Sequence, residues 1–219
     1  MPLKATELYG KIAEQMELLG KDDWKQAVQI QEGLLAGDQF VPIGDVLIDQ
    51  GTLDASSNRA VLVQHKVTNI LQDEKILGDW ILARGLAGAE VVKTCSQETR
   101  LAVRKGEKMI PRLVSLLVQK GVLSGESKDL ALRIHHEVLE PLHEMTRYFT
   151  HLVDADAEVT GGRLAYQNHH VSREDLFGAL VAKVTGTDKV HVLATLRKAD
   201  RLSAQAQGSI AEWLSRFGG

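Results

Sequence analysis

The feature that most constrains this chain is a spaced series of glycines, each closing a short apolar frame. Ile12-Ala13 leads to Gly20, Ile43-Gly44 to Gly51, Leu77-Gly78 to Gly85 and Leu113-Val114 to Gly121. The glycines are 31, 34 and 36 residues apart. Within Ile43–Gly51 the apolar residues at 43, 46 and 47 fall on one face of a short helix. Gly51 then suits a helix C-cap, where the backbone enters the left-handed region that glycine reaches without steric cost. Capping residues follow and open a second helix: Asp22 and Asp23, Asp54, then Ser124 with Glu126 behind it. A unit of this size cannot bury its own apolar face, so neighbours must stack. The expectation is an all-α fold in which residues 1–151 form an array of four short helical hairpins with a period of about 31–36 residues.

The pattern changes after His151. Residues 154–162 are acidic, small and end in Gly161-Gly162, and 152–171 reads as a linker or irregular segment, with a short strand or turn over 163–170. Ser172 and Asp175 have capping-box spacing. Helices are expected over about 173–185, 188–199 and 202–216, with Asp200 capping the last, giving a small C-terminal three-helix unit over 172–219.

Aromatic residues are only 5% of the chain, so the core must be built from Leu, Val, Ile and Ala, which suit helix-on-helix packing. Trp24, Trp80 and Trp213 read as packing anchors. The formal net charge of −3 and pI near 6.2 oppose wholesale nucleic-acid binding. The charge is nevertheless uneven. Lys93, Arg100, Arg104, Lys105, Lys108, Arg112 and Lys120 cluster mid-chain, and Arg100, Arg104, Lys105, Lys108 and Arg112 form a candidate basic patch for a partner. Cys95, the single cysteine, cannot make an intrachain disulfide. The N-terminus lacks an apolar leader and no apolar run is long enough to span a bilayer, so a cytoplasmic protein is expected.

The densest polar cluster is His135-His136-Glu137, Glu140, His143-Glu144 and His151. On a continuous helix 136, 140 and 143 would share a face, and Glu140-x-x-His143 has the spacing used in di-iron bundles. A di-iron site needs a second such pair, which the sequence lacks, and Pro141 interrupts the helix. No metal site is expected there. His169-His170 would point opposite ways on an extended chain. Cys95 lies inside a helix, and no nucleophile elbow or phosphate-binding loop is present. No catalytic residue and no cofactor is assigned.

The segment Pro42-Ile-Gly-Asp-Val-Leu-Ile-Asp-Gln-Gly51-Thr-Leu, with Ala60 and Gln64 in the helix beyond it, resembles the MshEN-type N-terminal helical domains of type II secretion and type IV pilus assembly ATPases. The resemblance covers about residues 40–105. Ile43, Gly44, Leu47 and Gly51 match the first half of the family motif, and Leu77, Gly78, Ile81 and Gly85 match it again. In that family the paired motifs bind cyclic di-GMP, which makes these eight residues candidate ligand contacts. The family's leading Arg is replaced by Pro42 in one copy and Ile76 in the other.

The leading expectation is therefore a non-enzymatic bacterial adaptor or regulatory module that binds another protein, in signalling, secretion or motility. The alternatives are a cyclic-dinucleotide receptor with degenerate motifs, and a metal-dependent enzyme built on the His135–His151 cluster.

Overall fold

A computed structural model describes residues 4–37, 39, 41–146, 157–186 and 191–217. Among these residues all regular structure is α-helical, with no strand. In chain order the helices are α1 (Lys4–Gln15), α2 (Lys21–Ala36), α3 (Ile43–Asp49), α4 (Ala55–Ala83), α5 (Ala89–Arg104), α6 (Leu113–Gln119), α7 (Gly125–Glu137), α8 (Leu139–Thr146), α9 (Ala157–Gln167), α10 (Arg173–Thr185), α11 (Val192–Lys198) and α12 (Ala204–Phe217). No described helix is long and apolar enough to cross a membrane.

Seven helix ends among the described residues close through a positive-φ residue; Gly106 after α5 is followed by the exposed Lys108, and the other six share one arrangement throughout. Glu17, Gly51, Gly85, Gly121, His169 and Asp200 all have positive φ, between 53° and 72°. The next residue's N–H reaches back to a carbonyl of the last helical turn: Leu18 to Ala13, Thr52 to Leu47, Leu86 to Ile81, Val122 to Leu117, His170 to Ala165 and Arg201 to Leu196, at 2.8–3.1 Å. This is the Schellman closure. One residue further on an apolar side chain folds inward (Leu19, Leu53, Ala87, Leu123, Val171, Leu202), and the residue after that precedes the next helix.

Three details of the sequence reading shift. The first left-handed position is Glu17, not Gly20; Gly20 has φ −80° and is the N-cap of α2. Asp200 closes α11, and the cap of α12 is Ser203, whose Oγ accepts from Ala206 N at 3.1 Å. Asp22 and Asp23, expected as caps, lie instead within the first turn of α2, behind Gly20. Asp54 and Ser124 are N-caps as expected. Asp54 accepts from Ser57 N at 2.7 Å, and Ser172 and Asp175 form a reciprocal capping box.

The expected linker is corrected in part. Residues 157–167 are helix α9, and its buried face includes Thr160, Gly161, Gly162, Arg163, Leu164 and Ala165. Residues 152–156 lie outside the described ones. Gly161-Gly162, expected in a loop, are close-packing points within α9. A Cβ on Gly162 would sit 2.4 Å from Met145 Sδ of α8, and one on Gly161 3.0 Å from Leu193 Cδ1 of α11. Of the expected last three helices, α10 spans the predicted range, α11 is shorter and α12 ends near its predicted limit.

The apolar core divides in a way the expected boundaries do not follow. One cluster runs from Tyr9 to Val61 and is built by α1 to α3 with the start of α4. A larger one runs from Ile76 to Ile210, and joins α5 to α8 with α9 to α12. The C-terminal helices therefore share a core with residues 76–145. Helix α4, 29 residues long, contributes to both clusters.

Candidate functional site

Between its two apolar ends, α4 turns a polar face inward. His65, Asn69, Asp73 and Glu74 are all buried. Residues 65, 69 and 73 are four apart and so stack along one face. Arg173, the first residue of α10, meets this face. Its Nε donates to Asp73 Oδ1 at 2.8 Å, and its Nη1 donates to Asn69 Oδ1 at 3.0 Å and Gln72 Oε1 at 3.1 Å. Asp73 is 2% and Arg173 5% exposed, so this is a desolvated pair, and its hydrogen bonds run through Nε and Nη1 of the guanidinium. Glu74 is held by Arg112 and by Leu113 N, at the start of α6. Burial, with Arg173 and His143 nearby, pushes the His65 imidazole down to about 4.

The histidine cluster opens onto this seam. Helix α7 ends at Glu137 and α8 begins at Leu139, so His136 and His143 do not share a continuous helix. The break nonetheless folds His135, His136, Glu140, His143 and Glu144 around one cleft of about 420 Å³, with Lys66, Asp73 and Arg112 on its α4 and α6 side. His143 Nδ1 is 3.9 Å from Asp73 Oδ2. The His135 and His136 rings meet edge to face with centroids 5.1 Å apart. Burial, then Arg112 and His136, lowers His135 to about 4. Among the described residues no three His, Cys, Asp or Glu side chains are placed to hold a metal ion. His151 lies outside the described residues. Cys95 is buried, and burial followed by the charge of Glu98 raises its thiol above the ordinary range.

The eight motif residues of the MshEN resemblance divide by role. Ile43, Leu47, Leu77 and Ile81 are fully buried core. Gly44 and Gly78 are contact points: a Cβ on Gly44 would lie 2.4 Å from Asn58 Oδ1, and one on Gly78 3.3 Å from Leu113 Cδ2. Gly51 and Gly85 are the exposed, left-handed closures of α3 and α4. As placed, the apolar side chains of the motif face the core and offer no contact to a ligand on the surface.

The basic patch is brought together except at one end. The outward face of α5 carries Lys93, Arg100 and Arg104, and Lys105 and Lys108 follow in the loop, all exposed. Arg112 turns away to pair with Glu74, and Lys120 pairs with Glu98 at 2.9 Å.

The sequence reading missed two features. The first is the His65–Asn69–Asp73 seam. Its signal was present as polar residues at helical spacing within a long helix, but the partner Arg173 lies 100 residues beyond Asp73. The second is a groove of about 470 Å³ between α1 and α2, lined by Leu19 and Trp24 and rimmed by Glu7, Glu14 and several lysines. Trp24 lies so close over Gly10 that a Cβ there would come within 2.5 Å of the ring. The absent side chain lets the indole settle across α1 with one side still open to the groove.

Comparison with known proteins gives no matching family model, no matching curated protein and no matching solved structure.

Proposed function

We propose that the protein is a non-enzymatic adaptor that binds another protein, in the bacterial signalling, secretion or motility setting that the resemblance implies. One observation carries this reading: the α1–α2 groove presents a half-buried tryptophan beside Leu19 under a charged rim. Tryptophan is enriched at the energetic centres of protein interfaces, where a polar rim excludes water around it. Helix α2 adds to the surface. Only Ala27 and Gln31 of its sixteen residues are buried, and Ile30 is exposed. The groups with most chemical potential support the same reading, because Asp73 and Glu74 are committed to Arg173 and Arg112.

The test is capture of a partner from host extract, identification, and calorimetry with the purified pair. Trp24→Ala and the surface variant Lys21→Glu/Lys25→Glu should each weaken binding by about tenfold or more, the scale of an interface centre. A purified partner whose affinity is the same for both variants removes the groove from the interface. Turnover of a small substrate by the purified chain, abolished by His143→Ala, would replace the adaptor reading with an enzymatic one.

A further inference from the structure

Beyond the proposed protein-binding groove, and on different residues, we infer that the outward face of α5 and the loop after it form a docking site for an anionic lipid surface. Between 93 and 120 the chain carries seven cations and two acids, in a protein whose formal net charge is −3. The basic charge is therefore concentrated here while the remainder is acidic, which orients the molecule in the field of an anionic surface.

The geometry adds an apolar component. Helix α5 buries Val92, Cys95, Thr99 and Ala102, so its opposite face turns Lys93, Arg100, Leu101 and Arg104 to solvent. Leu101 is 50% exposed within that basic face. At the end of α5, Gly106 takes φ +66°, and Glu107 N closes the helix on Ala102 O at 3.0 Å. The chain then projects Lys108 and Met109 outward, and Met109 is 87% exposed, the most exposed large apolar side chain described. The return is anchored: Thr99 Oγ1 donates to Pro111 O at 2.9 Å, and Arg112 pairs with Glu74. The loop tip is thus held at both ends.

An exposed methionine that follows the exposed Arg104, Lys105 and Lys108 within five residues fits an interfacial site. Cations meet lipid headgroups, and the apolar side chain enters the boundary beneath them. Of the acids within reach, Glu74 is taken by Arg112, Asp79 by Lys75 and Glu98 by Lys120, so Glu90 and Glu107 are the two without an ion pair described. A tip whose apolar side chain is 87% exposed favours a yielding surface. A shaped protein pocket or a nucleic acid is the other source of the same charge, and the experiment separates them.

The full chain is sedimented with phosphatidylcholine vesicles and with vesicles enriched in phosphatidylglycerol. Binding is expected only to the anionic vesicles, and should weaken as salt rises. The variant Arg100→Glu/Arg104→Glu/Lys105→Glu/Lys108→Glu should abolish it. Met109→Asp should reduce it by about tenfold, the scale of burying one methionine side chain. Both variants alter exposed side chains, and circular dichroism checks their folding. As an independent readout, Met109→Cys is labelled with an environment-sensitive dye; Cys95 is buried and stays unlabelled. The dye should shift to the blue on anionic vesicles, whereas dye at Gln26→Cys, on the exposed face of α2, should not. No binding to anionic vesicles at low salt overturns the proposal. So does binding indifferent to Met109→Asp and matched by single-stranded DNA or an acidic peptide, because the site would then recognise charge alone.

Discussion

Asp73 and Arg173 show how a single contact can join distant parts of this chain. Both are almost wholly buried, and each is the other's counter-charge. Removing one partner leaves an uncompensated charge away from water, so Arg173→Met should cost about 3–5 kcal/mol in urea unfolding. The double variant Asp73→Leu/Arg173→Met should recover much of that loss, because no lone charge remains. Equal destabilisation by the single and double variants would mean that the hydrogen bonds, not the charge balance, hold the seam. His65 and His135 set the acid response. Each has an ordinary value of 6.5 and is held at about 4 in the fold, chiefly by burial. Between those values the unfolded chain takes up protons that the folded chain declines. Their contribution is therefore complete above 6.5 and lost as the pH falls towards 4. The urea midpoint should drop between pH 7 and pH 5, and His65→Gln should flatten that dependence. A midpoint steeper in His65→Gln than in the parent would reverse the assignment. The sequence carried only the helical spacing of 65, 69 and 73, because spacing reveals which residues share a helix face but not which distant arginine arrives to meet them.

At the level of elements, the helix ends were the most readable feature, and the exceptions teach most. Gly51, Gly85 and Gly121 advertise the left-handed closure, but Glu17, His169 and Asp200 make the same turn without glycine. In these three the apolar residue two places on, Leu19, Val171 or Leu202, is buried, and that anchor outweighs the local backbone cost. A glycine search therefore finds half of these six closures and places the first at Gly20 instead of Glu17. Two expectations follow with opposite signs. Gly51→Ala and Gly121→Ala should each lower stability by about 1 kcal/mol, the usual cost of a Cβ in the left-handed region. Glu17→Gly should raise it by a fraction of that, since relief of strain exceeds the added freedom of the unfolded chain by a small margin. Thermal melts of the three variants decide the matter, and a stabilised Gly51→Ala would break the argument. Gly161-Gly162 failed as loop signals for the opposite reason. Small residues can mark where helices touch as well as where chains turn, and only Met145 and Leu193 reveal which applies.

For the whole molecule, the decisive fact is that the polar seam lies between the two apolar clusters. Val61 is the last fully buried residue of α4 in the smaller cluster, with Leu62 packed beside it, and Ile76 is the first in the larger one. Between them the buried positions are His65, Asn69, Asp73 and Glu74. Contacts from α1 to the C-terminal half are polar as well: Lys4 Nζ donates to Val171 O at 2.7 Å, and Ala5 N donates to Gln167 Oε1 at 2.8 Å. An apolar core couples its parts non-directionally, whereas a hydrogen-bonded junction depends on a few groups and on their protonation. The smaller cluster, built by α1 to α3 and the start of α4, should therefore open as a unit before the larger one. Hydrogen exchange read by mass spectrometry should show the amides of α1 and α3 exchanging together, ahead of those of α6, α8 and α10. At pH 5 exchange should quicken in both clusters, because protonation opposes burial of His65 in the seam and of His135 beside the larger core. Arg173→Met should widen the gap at neutral pH, with exchange in α1 and α3 accelerated more than in α6. A single uniform exchange rate across both clusters, unchanged by pH and by Arg173→Met, would show that α4 transmits stability through the seam as well as an apolar core does.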